Sequence, residues 1–195
     1  MKNTEITYRE ILYQAIERKN KTLTQAELSR SLGFSLSTIN NAVKKLANIG
    51  AVKIKPRSFV IVDIKKTIYF WSSVRNLQKD IVYSTRAEKP VKEIEKLMPD
   101  NIVFGCYSAY KYIFKDVPAD YSEVYIYADK NDIKKRFPES KGVPNIFVLK
   151  KDSFIENYGK TTTKGNTFVD LWNLKEWYAK EFINSMEEKL HGILE

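Results

Sequence analysis

Between Thr24 and Gly50 the chain sets two short amphipathic segments on either side of one glycine, and few folds accept that arrangement. Thr24 precedes Ala26, Leu28 and Leu32, with Glu27 three residues behind it. This spacing predicts a capping box, in which the Thr and Glu side chains satisfy backbone N–H groups at the helix start. Gly33 ends the segment, where a left-handed residue costs least. Ser35 or Ser37 starts the next helix. In it Leu36, Ile39, Val43 and Leu46 recur at spacings of 3, 4 and 3, one face of a helix reaching about Ile49. Gly50 closes it.

The flanks complete the pattern. Ile6 to Lys19 reads as a helix capped by Thr4, with Ile11, Leu12, Ala15 and Ile16 as its apolar stripe. Lys19-Asn20-Lys21 reads as a polar break. After Gly50, Val52-Lys53-Ile54-Lys55, the turn Pro56-Arg57-Ser58 and the run Phe59 to Val62 read as a hairpin. Three helices and a basic hairpin in this order make a winged helix over roughly residues 4 to 63.

Charge is concentrated in the same region. Residues 1–66 hold 13 Lys and Arg against 5 Asp and Glu, a net +8 of the chain's +9. Residues 67–195 hold 20 against 19. A local positive field of this kind suits a polyanion.

On the third helix the apolar seam leaves Ser37, Thr38, Asn40, Asn41, Lys44, Lys45 and Asn48 outside, and Ser35 lies at its start. An α-helix fits the major groove of DNA, where Asn pairs with adenine and Ser or Thr serves most bases. Lys44 and Lys45, on later turns, are placed for phosphates. Lys53 and Lys55 share one face of the hairpin, because they lie two apart, and Arg57 sits on its turn. The expected DNA-binding residues are Ser35, Ser37, Thr38, Asn40, Asn41, Lys44, Lys45, Lys53, Lys55 and Arg57, and the expected partner is double-stranded DNA. The run from Thr24 to Leu46, with Ala26, Gly33 and Ile39 in place, resembles prokaryotic winged helix transcriptional regulators.

Composition excludes several other classes. Apolar residues make up 43% of the 195, enough to build a core. No apolar run reaches the ~18 residues of a membrane span, and the first residues lack the apolar region of a signal peptide. One cysteine, Cys106, permits no internal disulfide, and with the single His191 it cannot form a structural zinc site. A cytoplasmic protein without cofactor or metal is expected.

From Asp63 the chain alternates between strand and helix patterns. Lys66 to Lys79 reads as a helical connector. Strands are expected at Ile81–Ser84, Ile102–Phe104, Tyr121–Ala128 and Asn145–Leu149. Helices are expected at Pro90–Met98, Ser108–Phe114, Asn131–Phe137 and, without a break, Val169–Leu190. Thr161 to Asn166 reads as a polar, mobile loop.

The step Phe104-Gly105-Cys106-Tyr107-Ser108-Ala109, a helix and the strand Tyr121–Ala128 resemble the opening of a nucleotidyltransferase fold. Phe168-Val169-Asp170-Leu171-Trp172 resembles the C-terminal region of abortive-infection type IV antitoxins of the AbiE kind, which join a winged helix to such a domain. The resemblance implies autoregulation and a cognate toxin partner. The family's strand carries Asp-x-Asp, and here those positions read Glu123 and Tyr125. Two-metal transfer needs carboxylates around ions ~3.5–4 Å apart, and the next strand carries no acid. No catalytic residue is expected, and Tyr125 and Tyr127 are expected to pack under a helix. Gly105, Ser108, Glu123 and Tyr125 remain as a ligand or partner groove.

The expected fold class is α+β, an N-terminal winged helix-turn-helix (residues 1–66) followed by a non-catalytic, nucleotidyltransferase-like α/β domain (residues 67–195). The expected function is a sequence-specific transcriptional regulator that serves as an autoregulating antitoxin, with homodimerisation as a further expectation. The residues leave open a solitary regulator, a nucleotidyltransferase enzyme tethered to a DNA-binding domain, and a protein-interaction module.

Overall fold

A capped, amphipathic N-terminal third and an alternating remainder lead to two compact units in the computed structural model, which describes residues 1–194. The first unit comprises Met1–Arg75, Thr163–Val169 and the stretch from Met186; the second comprises Asn76–Thr162 and Asp170–Ser185. Among the described residues no helix is long and apolar enough to cross a membrane.

In the first unit α1 spans Asn3–Ile16 and buries Ile11, Leu12, Ala15 and Ile16. Its cap position is Lys2, and Thr4 lies inside the first turn. A two-residue strand, β1 (Thr22–Leu23), follows directly on the expected polar break. Helix α2 (Gln25–Leu32) carries the capping box: Glu27 N donates to Thr24 Oγ1 at 3.1 Å and Thr24 N to Glu27 Oε2 at 3.3 Å. Gly33 ends it at φ 59°, in the left-handed region. Leu28 and Leu32 are buried but Ala26 is exposed. At about 100° per residue Ala26 falls on the far side of the helix from Leu28.

Helix α3 (Leu36–Asn48) is capped by Ser35, whose Oγ accepts from Thr38 N at 3.2 Å. Ile39, Ala42, Val43 and Leu46 have no exposed surface. Leu36, expected in this seam, is 56% exposed. It lies about 60° from Ile39 and about 120° from Ala42 around the axis, at the seam's edge. Strands β2 (Val52–Ile54) and β3 (Phe59–Ile61) form the hairpin, with Lys53 opposite Val60, and β1 pairs with the outer side of β3.

The expected connector is α4 (Ile64–Val74), capped by Asp63. It belongs to the first unit and packs on α1. Tyr8 and Phe70 meet edge to face at 5.8 Å. Just beyond α4, Arg75 forms an ion pair with Glu5 at 3.3 Å, both nearly inaccessible to solvent. The Thr161–Asn166 segment, expected as a mobile loop, is largely buried, and a helix begins within it at Lys164. Gly165 makes that possible: a Cβ there would lie 3.0 Å from the Leu12 Cβ. The backbone N–H of Lys164 donates to Glu17 Oε1 at 2.7 Å.

The second unit is built on β4 (Ile81–Thr85), α5 (Val91–Lys96), β5 (Val103–Phe104), α6 (Cys106–Phe114), β6 (Val124–Ala128), α7 (Lys130–Arg136) and β7 (Ile146–Lys150). The sheet order is β4-β7-β6-β5; β6 and β7 are parallel, and the outer pairs are antiparallel. Alternation gives β6 two buried faces. Val124, Ile126 and Ala128 join a core with Ile94 of α5 and Ile133 of α7. Tyr125 and Tyr127, on the other face, are equally buried.

The single long C-terminal helix expected from the sequence is two helices, α8 (Lys164–Trp172) and α9 (Ala179–Leu194). The break begins where Asn173 N and Leu174 N donate to Asp170 O and Leu171 O, three residues back. Such tightened bonds are how helix ends satisfy their last carbonyls. The first residues of α8 and the last of α9 belong to the first unit.

Glu17 gives the first unit a pH dependence. Burial pushes its carboxyl from the ordinary 4.5 up to about 7, against the opposing Lys164 N–H bond and the charges of Lys164 and Lys19. The folded chain therefore keeps a proton that the unfolded chain has lost. Its contribution is fully present below about pH 4.5 and is lost as pH rises through about 7, a difference of roughly 3 kcal/mol. Glu17→Gln keeps the acceptor for Lys164 N–H and removes the titration. In urea unfolding it should gain stability relative to wild type between pH 5 and pH 8; an offset independent of pH would refute the assignment.

Candidate nucleic-acid interface

The buried seam of α3 decides which of its side chains face water. Ser37, Asn41, Lys44, Lys45 and Asn48 are exposed, and Thr38 and Asn40 are half-buried. The expected residues do not all stand free. Ser35 Oγ is committed to the cap and lies 2.9 Å from Thr38 Oγ1, so these two hydroxyls satisfy each other. Ser37, Asn40 and Asn41 make no side-chain hydrogen bond among the described residues.

On the hairpin, Lys55 N donates to Ser58 O at 2.8 Å, which leaves Pro56 and Arg57 at the tip. Lys53, Lys55 and Arg57 are exposed. None of these three, nor Lys44 or Lys45, is in an ion pair among the described residues. Elsewhere cations are often matched, as in Lys111 with Glu95, Lys134 with Glu139 and Lys151 with Glu156. The cause is legible in the sequence: from Leu28 to Val62 there is no Asp or Glu, against six Lys and Arg.

A helix with a free polar face, held by α2 and followed by an acid-free hairpin, is an arrangement with a known counterpart. Residues 9–53 match the family model described as winged helix-turn-helix DNA-binding. The first unit carries a winged helix-turn-helix DNA-binding domain. This marks the protein as a DNA-binding regulator. The match covers the second half of α1, all of α2 and α3, and the start of the hairpin. Neither a search of curated proteins nor a search of solved structures gives a match for the chain. Lys44, Lys45, Lys53, Lys55 and Arg57 present their charge without an ion-pair partner among the described residues.

The second unit treats its expected groove residues differently. Gly105, Ser108 and Tyr125 are buried, and Glu123 stands just before β6. The space is filled by rings. Tyr107 contacts Tyr121, Tyr178 and Phe182, with centroids 4.9–5.4 Å apart, and Tyr125 stacks on Phe147 at 4.7 Å. A Cβ at Gly105 would lie 3.3 Å from the Tyr127 ring, so glycine permits this approach. An open concavity of this unit lies at the carboxyl ends of β6 and β7, lined by Lys130, Lys150, Lys151 and Asp152 among others. None of the four expected groove residues lines it.

The carboxylates near the rings are taken up by tyrosines. Tyr127 donates to Asp170 at 2.5 Å, Tyr121 to Glu95 at 2.7 Å, Tyr107 to Glu176 at 3.4 Å, and Tyr178 to Glu123. Burial pushes the hydroxyls of Tyr107, Tyr121 and Tyr125 well above the ordinary tyrosine range, and that of Tyr178 up to about 12. They remain protonated, and Tyr107, Tyr121 and Tyr178 act as donors. Sequence reasoning missed Asp170, Glu95 and Glu176 as partners because each comes from a distant part of the chain. Among the described residues no cluster of three or more His, Cys, Asp or Glu is arranged to hold a metal.

Replacing Lys53, Lys55 and Arg57 with Ala in the full chain should weaken binding to all duplexes alike. The slope of log K against log salt should become shallower by about 2–3 if each side chain meets a phosphate. An unchanged slope would remove the hairpin from the interface.

Proposed function

We propose that the protein is a sequence-specific transcriptional regulator whose second unit is a nucleotidyltransferase-like scaffold without transfer chemistry, and that it serves as an autoregulating antitoxin for a partner toxin protein. The observation that carries the regulator reading is the free amide and hydroxyl face of α3 beside unpaired cations. Asparagine amides discriminate between base edges, whereas lysines on phosphates supply affinity without sequence information.

The order β5, Gly105, α6, β6 supports the nucleotidyltransferase-like reading of the second unit. Its side chains support the absence of transfer. At the positions where the resembled family places acids, the carboxylate of Glu123 accepts from Tyr178, and Tyr125 is buried against Phe147. Asp170 is occupied by the Tyr127 hydroxyl. Phosphoryl transfer depends on metal ions and aligned oxygens, and these carboxylates are dispersed as hydrogen-bond acceptors. The antitoxin role rests on the resemblance in the order of parts, and a toxin would engage the protein through a surface, which needs no catalytic group.

Footprinting with the full chain on the DNA upstream of its own gene should show a protected site, and removing that site should raise expression from the promoter. The absence of any protected site there would overturn autoregulation. Incubated with each labelled nucleoside triphosphate, Mg²⁺ or Mn²⁺, and RNA or protein acceptors, the protein should transfer nothing. Transfer abolished by Glu123→Gln would establish an enzyme instead.

A further inference from the structure

We infer that the first two turns of α3 read A·T pairs, with Leu36 against a thymine methyl and Asn40 and Asn41 on adenine. This deepens the regulator reading and rests on it. Three observations combine.

The first is Leu36, the opening residue of α3 and 56% exposed. The other apolar side chains of this helix's seam have no exposure at all. At about 100° per residue, Leu36, Asn40, Ser37 and Asn41 follow one another across an arc of about 140°. The exposed Leu therefore borders the free polar face. In the major groove the C5-methyl of thymine is the apolar group available to such a side chain, and covering both removes hydrocarbon from water.

The second is the pair of amides. Asn40 and Asn41 have no side-chain hydrogen-bond partner among the described residues. An amide presents one donor and one acceptor side, the complement of adenine N7 and N6. No internal bond has to be broken before they can pair.

The third is what this face lacks. Guanine is read chiefly by Arg or Lys on O6 and N7, and cytosine N4 by Asp or Glu. The first two turns, Leu36 to Ala42, contain none of these four residue types, and α3 as a whole has no acid. Its lysines, Lys44 and Lys45, lie on the third turn. The face thus offers groups for adenine and thymine and omits those for guanine and cytosine.

The test is selection from random duplexes with the full chain, followed by atom-level changes in the selected site. A·T pairs should dominate the positions whose preference changes in Leu36→Ala and Asn41→Ala. Replacing one thymine by uracil, which deletes only the methyl, should weaken the wild type about fourfold. It should leave Leu36→Ala unaffected. Asn41→Ala should lose about 5- to 150-fold on the selected site, the range of one bidentate pair. Replacing the paired adenine by 7-deazaadenine should then cost that variant nothing further. Urea unfolding of both variants should match the wild type, which reports that they fold. A selected site with G·C under these residues, or uracil sensitivity undiminished in Leu36→Ala, overturns the inference and leaves the regulator reading standing. Binding without any sequence preference overturns both.

Discussion

The burial of Ile39, Ala42, Val43 and Leu46 is the constraint on which the interface depends. All four are fully inaccessible. Exposing even one such side chain would forfeit roughly 1.5–3 kcal/mol of transfer free energy. The helix therefore cannot rotate by a residue without a cost comparable to a large part of a domain's stability. Fixing the seam fixes its complement, and Ser37, Asn40 and Asn41 face outward as a consequence. The caps act on the same helix axially. Ser35 sets where α3 begins, and Gly33 turns the chain so that α2 and α3 cross.

The second unit solves a different problem, how to bury oxygen-rich side chains under a sheet. A carboxylate buried alone is costly, whereas a neutral phenol bonded to a carboxylate satisfies both partners. Tyr127 with Asp170 and Tyr121 with Glu95 follow this rule, and Lys111 adds a charge opposite Glu95. The arrangement commits these carboxylates to hydrogen-bonded partners of the protein itself. A divalent ion would have to displace those partners and gather acids that now come from separate elements.

Local signals in the sequence were legible where they act locally. The Thr24–Glu27 box, the left-handed Gly33 and the Ser35 cap are short-range devices, and the structure shows each of them. The hairpin and the strands of the second unit were legible because alternation survives within five residues. Patterns failed where two readings share a period. Leu36 fits the spacing of the α3 seam but sits at its edge, and Ala26 lies opposite the buried side of α2. Polar composition misleads at Thr161–Asn166, because Thr163 is buried just before, and Asn166 within, the start of a helix that Gly165 lets approach Leu12. The helix expected over Val169–Leu190 runs through a break that spacing alone could not reveal. For the interface, residue type and exposure were legible on α3 and the hairpin; the pairing of Ser35 with Thr38 was not, since either hydroxyl could have faced a base.

The acid-free stretch from Leu28 to Val62 bears on affinity as well as placement. An exposed ion pair is worth about 0–1 kcal/mol, so five matched cations could withhold up to a few kcal/mol from a phosphate backbone. Lys44, Lys45, Lys53, Lys55 and Arg57 carry no such debt. Their positive field also extends about one Debye length, near 8–10 Å at physiological salt, without local cancellation. On the proposed reading, approach to DNA is driven by the hairpin and the later turns of α3, which hold these charges. The uncharged first turns contribute little to that approach. On the proposed reading, discrimination and attraction are carried by different residues of one surface. A change at the amide face can alter which sequence is preferred while the attraction to any duplex stays as it was.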